Sequence, residues 1–173
     1  MKKILPITHK KGFTLIELLV VIAIIATLAV LVFVALNPAT RLEDARDARR
    51  VSDVNSILTA IHEAIVDNDG SNPTNMPAAG VIKQLGTATD STCALTVGAG
   101  GGNCTATSTG CVDLMANVAI DLIPYLASMP IDPLGTGGGY AGTDTGYTVV
   151  QDANGIVTIT ACAAENTTVS ASR

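Results

Sequence analysis

Apolar and polar positions divide the chain into three patterns. From Phe13 to Leu36 the sequence is apolar at every position except Thr14, Glu17 and Thr27. From Ala39 to about Asp67 the apolar residues thin out into a stripe. Val51, Val54, Leu58, Ile61 and Ile65 recur three and four apart, with Leu42 and Ala45 before them. That period predicts an amphipathic helix laid against a sheet. Its other face carries Arg46, Asp47, Arg49, Arg50, Asp53 and Glu63, read here as a solvated face or one that reaches neighbouring molecules. Asp67-Asn68-Asp69-Gly70-Ser71-Asn72-Pro73 ends the helix with turn-forming residues. Residues 71–112 hold few periodic runs, and 112–126 read as a short helix or an irregular segment. Two β-strands then stand out at 146–151 and 156–162, joined by the turn Asp152-Ala153-Asn154-Gly155.

These elements predict an α+β fold. A long N-terminal helix, with its apolar half protruding, packs on a small, loop-rich C-terminal antiparallel sheet. The expected divisions are 1–12, 13–36, 37–68 and 69–173: a leader, an apolar helix, an amphipathic continuation and a globular β domain. Asn37-Pro38 lies at the middle boundary. Asn is a good N-cap and Pro suits the first helical turn, so the helix either kinks there or melts and restarts.

A helix over 13–36 would span about 36 Å, enough for a hydrocarbon core of roughly 30 Å. Lys2, Lys3, Lys10 and Lys11 all precede it, which places residues 1–12 in the cytoplasm and the remainder outside. An ordinary secretory signal fits poorly, because the run is longer than an h-region and ends in Leu36-Asn37-Pro38 without a small-x-small cleavage site. A plain anchor fits the length but leaves Glu17 unexplained. A carboxylate in such a segment is costly and usually marks a functional position with a partner.

Composition narrows the field. The chain has 173 residues and a formal charge of −5. Without the four leader lysines, six basic residues face 15 acids, giving −9. An acidic surface argues against general nucleic-acid binding, which rests on Lys and Arg. Aromatic residues make up only 3%, so the C-terminal part has few of the side chains that supply most burial energy. Four cysteines, Cys93, Cys104, Cys111 and Cys162, all follow the apolar run. An even count in an exported segment with a thin core predicts two disulfides. Their intervals lack the close pairs of a metal site. Of three possible pairings the preferred one is Cys93–Cys104, closing the glycine-rich 98–103 loop, with Cys111–Cys162 tying down the last strand.

Lys10-Lys11-Gly12-Phe13-Thr14-Leu15-Ile16-Glu17, followed by the apolar helix, resembles the processing motif of type IV pilins and type II secretion pseudopilins. The resemblance implies cleavage between Gly12 and Phe13 by a membrane-embedded prepilin peptidase on the cytoplasmic side, and N-methylation of the new Phe13 amine. It implies a homopolymer with the N-terminal helices at its core. Glu17 would neutralise the Phe13 amine of a neighbour and so set the register. The implied partners are the inner-membrane assembly platform and minor pilins. The precursor would sit in the cytoplasmic membrane, and the mature form in an extracellular or periplasmic filament. In assembled filaments of this family the region near 31–38 is often extended.

Met129-Pro130-Ile131-Asp132-Pro133-Leu134-Gly135, then a Gly/Tyr loop and a hairpin, resembles the end of major pseudopilins. Those usually carry Trp after Asp-Pro and bind calcium in the following loop, whereas this chain has Leu134. Asp132 and Asp144 are the candidate calcium ligands, against a reading in which Asp132 caps a turn and Asp144 is solvated. No other cofactor is expected. His9 lies in the leader and His62 has no catalytic company, so an enzyme is not expected. The alternative to a filament subunit is a membrane-tethered exported binding protein that never polymerises. Pilus and pseudopilus are not separated by these residues.

Overall fold

The computed structural model describes residues 12–88, 93, 104, 110–137 and 139–173. The chain forms two compact units, Met1–Arg41 and Leu42–Arg173.

Helix α1 spans Leu15–Leu36 and has no buried residue. Helix α2 spans Pro38–Asp67. Between them Asn37 takes the left-handed conformation, φ 38° and ψ 73°. Asn is among the few residues that tolerate it. Pro38 then opens α2, where its missing amide costs nothing. The Asn37 side chain donates to Thr40 Oγ1 at 2.7 Å. The long predicted helix is therefore present, in two segments that meet at Asn37-Pro38.

In the second unit a four-stranded antiparallel sheet runs in the order β1-β2-β3-β4: Lys83–Gln84, Tyr147–Gln151, Val157–Ala161 and Val169–Ser172. The hairpin β2–β3 matches the two predicted strands to within one residue at each end. Its turn is held by Asp152, whose Oδ1 accepts from the Asn154 and Ile156 amides at 2.8 Å each. Strands β1 and β4 were not expected. The first has only two residues, and the second reads Val-Ser-Ala-Ser, too small and too polar to announce itself. The segment from Val112 is irregular, not helical. Val112 bridges Leu85 beside β1, while Leu114 and Leu122 are fully buried.

Val54, Ile57, Leu58 and Ile61 of α2 join Tyr147, Val149, Val157, Ile159 and Ala161 in one core cluster. The buried stripe is shifted from the expected one. Val51 is 48% exposed, Ile65 is only partly buried, and Ile57, Ala60 and Ala64 face inward. The reading of the charged face also needs correction. Asp47 and Arg50 are buried, because two loops of the β region fold over the N-terminal half of α2 and supply opposite charges.

Candidate functional site

The N-terminal site begins where α1 begins. Thr14 is the N-cap residue, in extended geometry, and Glu17 is the third helical residue. Thr-x-x-Glu is the sequence form of a capping box, and the structure contains it. Glu17 Oε2 accepts from the Thr14 amide and from Thr14 Oγ1, each at 2.8 Å, and the Glu17 amide donates to Thr14 Oγ1 at 3.3 Å. Local sequence therefore sets the carboxylate: its partner lies one turn back, and Oε1 keeps no hydrogen bond among the described residues. Among the described residues nothing lies within 4 Å of where a Gly12 Cβ would stand, and Phe13 is 86% exposed. Thr14 therefore orients the acid, a role the sequence reading did not assign to it. The motif Thr14-Leu15-Ile16-Glu17 carried that information. The leader itself, 1–11, lies outside the described residues.

A second cluster centres on Arg50, whose side chain has no solvent exposure. Its Nε and Nη2 donate to Asp132 Oδ2 and Oδ1 at 2.8 and 2.9 Å, a bidentate pair. Nη1 donates to Asp47 Oδ1 at 2.7 Å and Glu165 Oε2 at 3.1 Å. Glu165 also receives Nε and Nη2 of Arg46 at 2.7 and 2.6 Å. Asp47 accepts the backbone amides of Glu165 and Asn166. Planar, bidentate recognition suits arginine. Burial alone would lower the Arg50 pKa, but the three carboxylates outweigh it and raise it. Burial likewise pushes Asp47 up, and the Asn166 and Glu165 amides with Arg50 hold it below its ordinary value instead. Glu165 is lowered chiefly by its bonds from Arg46. Gly146, at φ 84°, leaves room where a Cβ would come within 2.9 Å of both Asp132 Cβ and the Tyr140 ring.

Asp132 is thus a partner of Arg50 with both oxygens engaged, and it also caps a turn by accepting the Leu134 amide at 2.9 Å. Asp144 accepts from Thr143 Oγ1 at 2.9 Å. Among the described residues no group of three or more His, Cys, Asp or Glu side chains is placed to hold a metal ion. His62 Nδ1 bonds the Leu58 carbonyl at 2.7 Å.

The cysteines form two disulfides, but in a different pairing from the one preferred. Cys93 joins Cys111, and Cys104 joins Cys162. The reason is the sheet. Val112 is fixed beside Leu85, and the Cys111 amide donates to the Ala88 carbonyl at 3.2 Å. That holds Cys111 near the chain leading to Cys93. Cys162 follows β3, next to β2, where Cys104 Sγ lies 3.5 Å from Thr148 Oγ1.

Residues 7–33 match the family described as the prokaryotic N-terminal methylation motif. This is the prepilin signature of type IV pilins and pseudopilins, and it covers 27 of 173 residues. No curated protein and no solved structure matches the chain. The motif, α1 and the two disulfides fit an exported, membrane-anchored, pilin-like protein. They point to a structural subunit and not to an enzyme.

Proposed function

We propose that the chain is the precursor of a filament subunit, a type IV pilin or a pseudopilin, held in the membrane by α1 until it polymerises. A peptidase cuts between Gly12 and Phe13, and the freed Phe13 amine is N-methylated. Residues 1–12 face the cytoplasm, and the Leu42–Arg173 unit faces the other side. Mature subunits are drawn into a homopolymer through an inner-membrane platform, with minor pilins at hand. The filament stands outside the cytoplasmic membrane, in the periplasm or beyond the cell.

The observation that carries this reading is the state of Glu17. A lone carboxylate on an otherwise uncharged, largely apolar helix is expensive in hydrocarbon. The capping box satisfies one oxygen within the same chain, which lowers the cost of waiting in the membrane. Oε1 remains to meet a cation. In the polymer that cation is the Phe13 amine of a neighbour, and only one axial offset between packed helices brings the two together. A non-polymerising tether needs no such acid.

Shearing the surface of cells that carry the protein, followed by electron microscopy and intact mass spectrometry, tests the reading. The expected result is a filament whose subunit begins at N-methylated Phe13 and retains two disulfides. A correctly cut subunit found only as single molecules in the membrane would favour the tether.

A further inference from the structure

The sheet has two edges, and they are treated differently. At β1 the outward Gln84 carbonyl accepts the Val112 amide at 2.8 Å, and the Val112 carbonyl accepts the Gly86 amide at 3.0 Å. That edge is closed. At β4, Arg173 and Val157 exchange both backbone bonds, at 2.9 and 3.0 Å. With the register Ser172–Thr158, Ala171–Ile159, Ser170–Thr160 and Val169–Ala161, the alternation of an antiparallel ladder follows. Ala171 and Val169 serve β3. The amides and carbonyls of Ser170 and Ser172 point away from the sheet and have no hydrogen-bond partner among the described residues. Both serines are exposed. Natural edges are usually blunted by charge, proline, a bulge or a covering element; Val169–Ser172 has no charge, proline or bulge.

We infer that β4 pairs with β4 of a second copy, antiparallel about a two-fold axis through Ala171. Ser170 then faces Ser172 of the second copy, and Ser172 faces Ser170 of the second copy. Each pair exchanges two backbone bonds, so all the outward groups of both serines are used. Arg173 falls opposite Val169 of the second copy, so the cation next to the strand does not meet its like. The occupant is a copy of this chain for an energetic reason. Four hydrogen bonds exchanged against water return too little to offset the freedom lost when two free molecules associate. Copies held in one membrane by α1 have already lost most of that freedom. This part of the inference rests on the membrane-held precursor proposed above. A two-fold contact is isologous and closed, so it belongs to paired precursors and not to the head-to-tail polymer.

The test uses the full-length precursor, leader intact, in phospholipid vesicles at high and low protein density. With the leader intact Phe13 has no free amine, which the filament reading requires, so a failure of that reading leaves the outcome readable. Backbone amide exchange should show Ser170 and Ser172 protected at high density and free at low density, with Val169 and Ala171 slow in both. Equal exchange of Ser170 and Ser172 at the two densities overturns the proposal. Ser170→Pro removes two of the four bonds and should lower the dimer constant, read by chemical cross-linking, roughly tenfold or more. Ser170→Ala, which keeps the main chain, should leave it unchanged. A dimer indifferent to Ser170→Pro, with the Cys104–Cys162 disulfide intact, also overturns it. If Ser170→Pro fails to fold, the exchange measurement on the unaltered chain decides.

Discussion

Glu17 is the only charge on α1, whereas Arg50 of α2 is buried at the centre of a charged cluster, and the two are satisfied in opposite ways. Glu17 finds Thr14, three residues away, and leaves one oxygen unused. Arg50 finds Asp132 and Glu165, 82 and 115 positions away, and uses every donor direction the loops offer. The first is a local arrangement with capacity to spare for a further donor. The second is a closed one, suited to holding a fold. The same contrast appears in burial: no residue of α1 is buried, whereas Arg50 has no exposure at all.

The largest expected effect comes from opening the closed arrangement. Arg50→Met leaves the buried Asp132 carboxylate without its bidentate partner and should destabilise the Leu42–Arg173 unit by about 3–5 kcal/mol. Thermal unfolding of the full chain in detergent, followed by circular dichroism, should then move down by on the order of 10 °C. An unchanged midpoint would mean that the cluster holds nothing. Acid should act on the same cluster more gradually. The folded-state pKa values of Asp47 and Glu165 are depressed, so their contribution is complete above the ordinary carboxylate values near 4 and is lost as pH falls below them. Stability should be flat from about pH 7 to 5 and then drop, and Asp47→Asn should flatten part of that drop.

Smaller effects separate the two regions further. Tyr147 is buried, with its hydroxyl donating to Asp53 Oδ2 at 2.8 Å. Burial first, then Asp53, raises its pKa. Tyr147→Phe should cost about 1 kcal/mol in a denaturant midpoint, because Asp53 keeps solvent and Arg49 nearby. Thr14→Ala should be the mildest change to the unit it belongs to. Losing the cap costs about 1 kcal/mol locally, seen as faster amide exchange over the first turn of α1, with the melting of the Leu42–Arg173 unit unaltered.

How much could be read in advance follows the same division. The apolar run, the Asn37-Pro38 break and the β2–β3 hairpin depend on neighbours in sequence, and periodicity and turn chemistry expose them. Thr14-x-x-Glu17 carries the capping-box pattern, although it had been read only for its acid. Arg50 was not legible, because Glu43, Arg46, Arg49 and Asp53 supply enough nearby charges to make a solvated face the simplest reading. Nothing local marks Asp132 or Glu165 as its partners. The disulfide pairing was hidden for a related reason: the glycine-rich 98–103 loop suggested closure by Cys93 and Cys104, whereas Val112 docking beside Leu85 brings Cys111 to Cys93. Strand β4 escaped because small, polar residues carry almost no burial signal, although Val169 is buried and its neighbours pair along the whole of β3.

The central claim is that Glu17 keeps an acceptor in reserve for another subunit. The direct measurement is filament yield from Glu17→Ala, quantified by shearing and electron microscopy beside the mass of the membrane-held subunit. The account predicts a subunit correctly cut to begin at Phe13, with both disulfides formed and almost no filament. Filaments at the yield of the unaltered chain would contradict it.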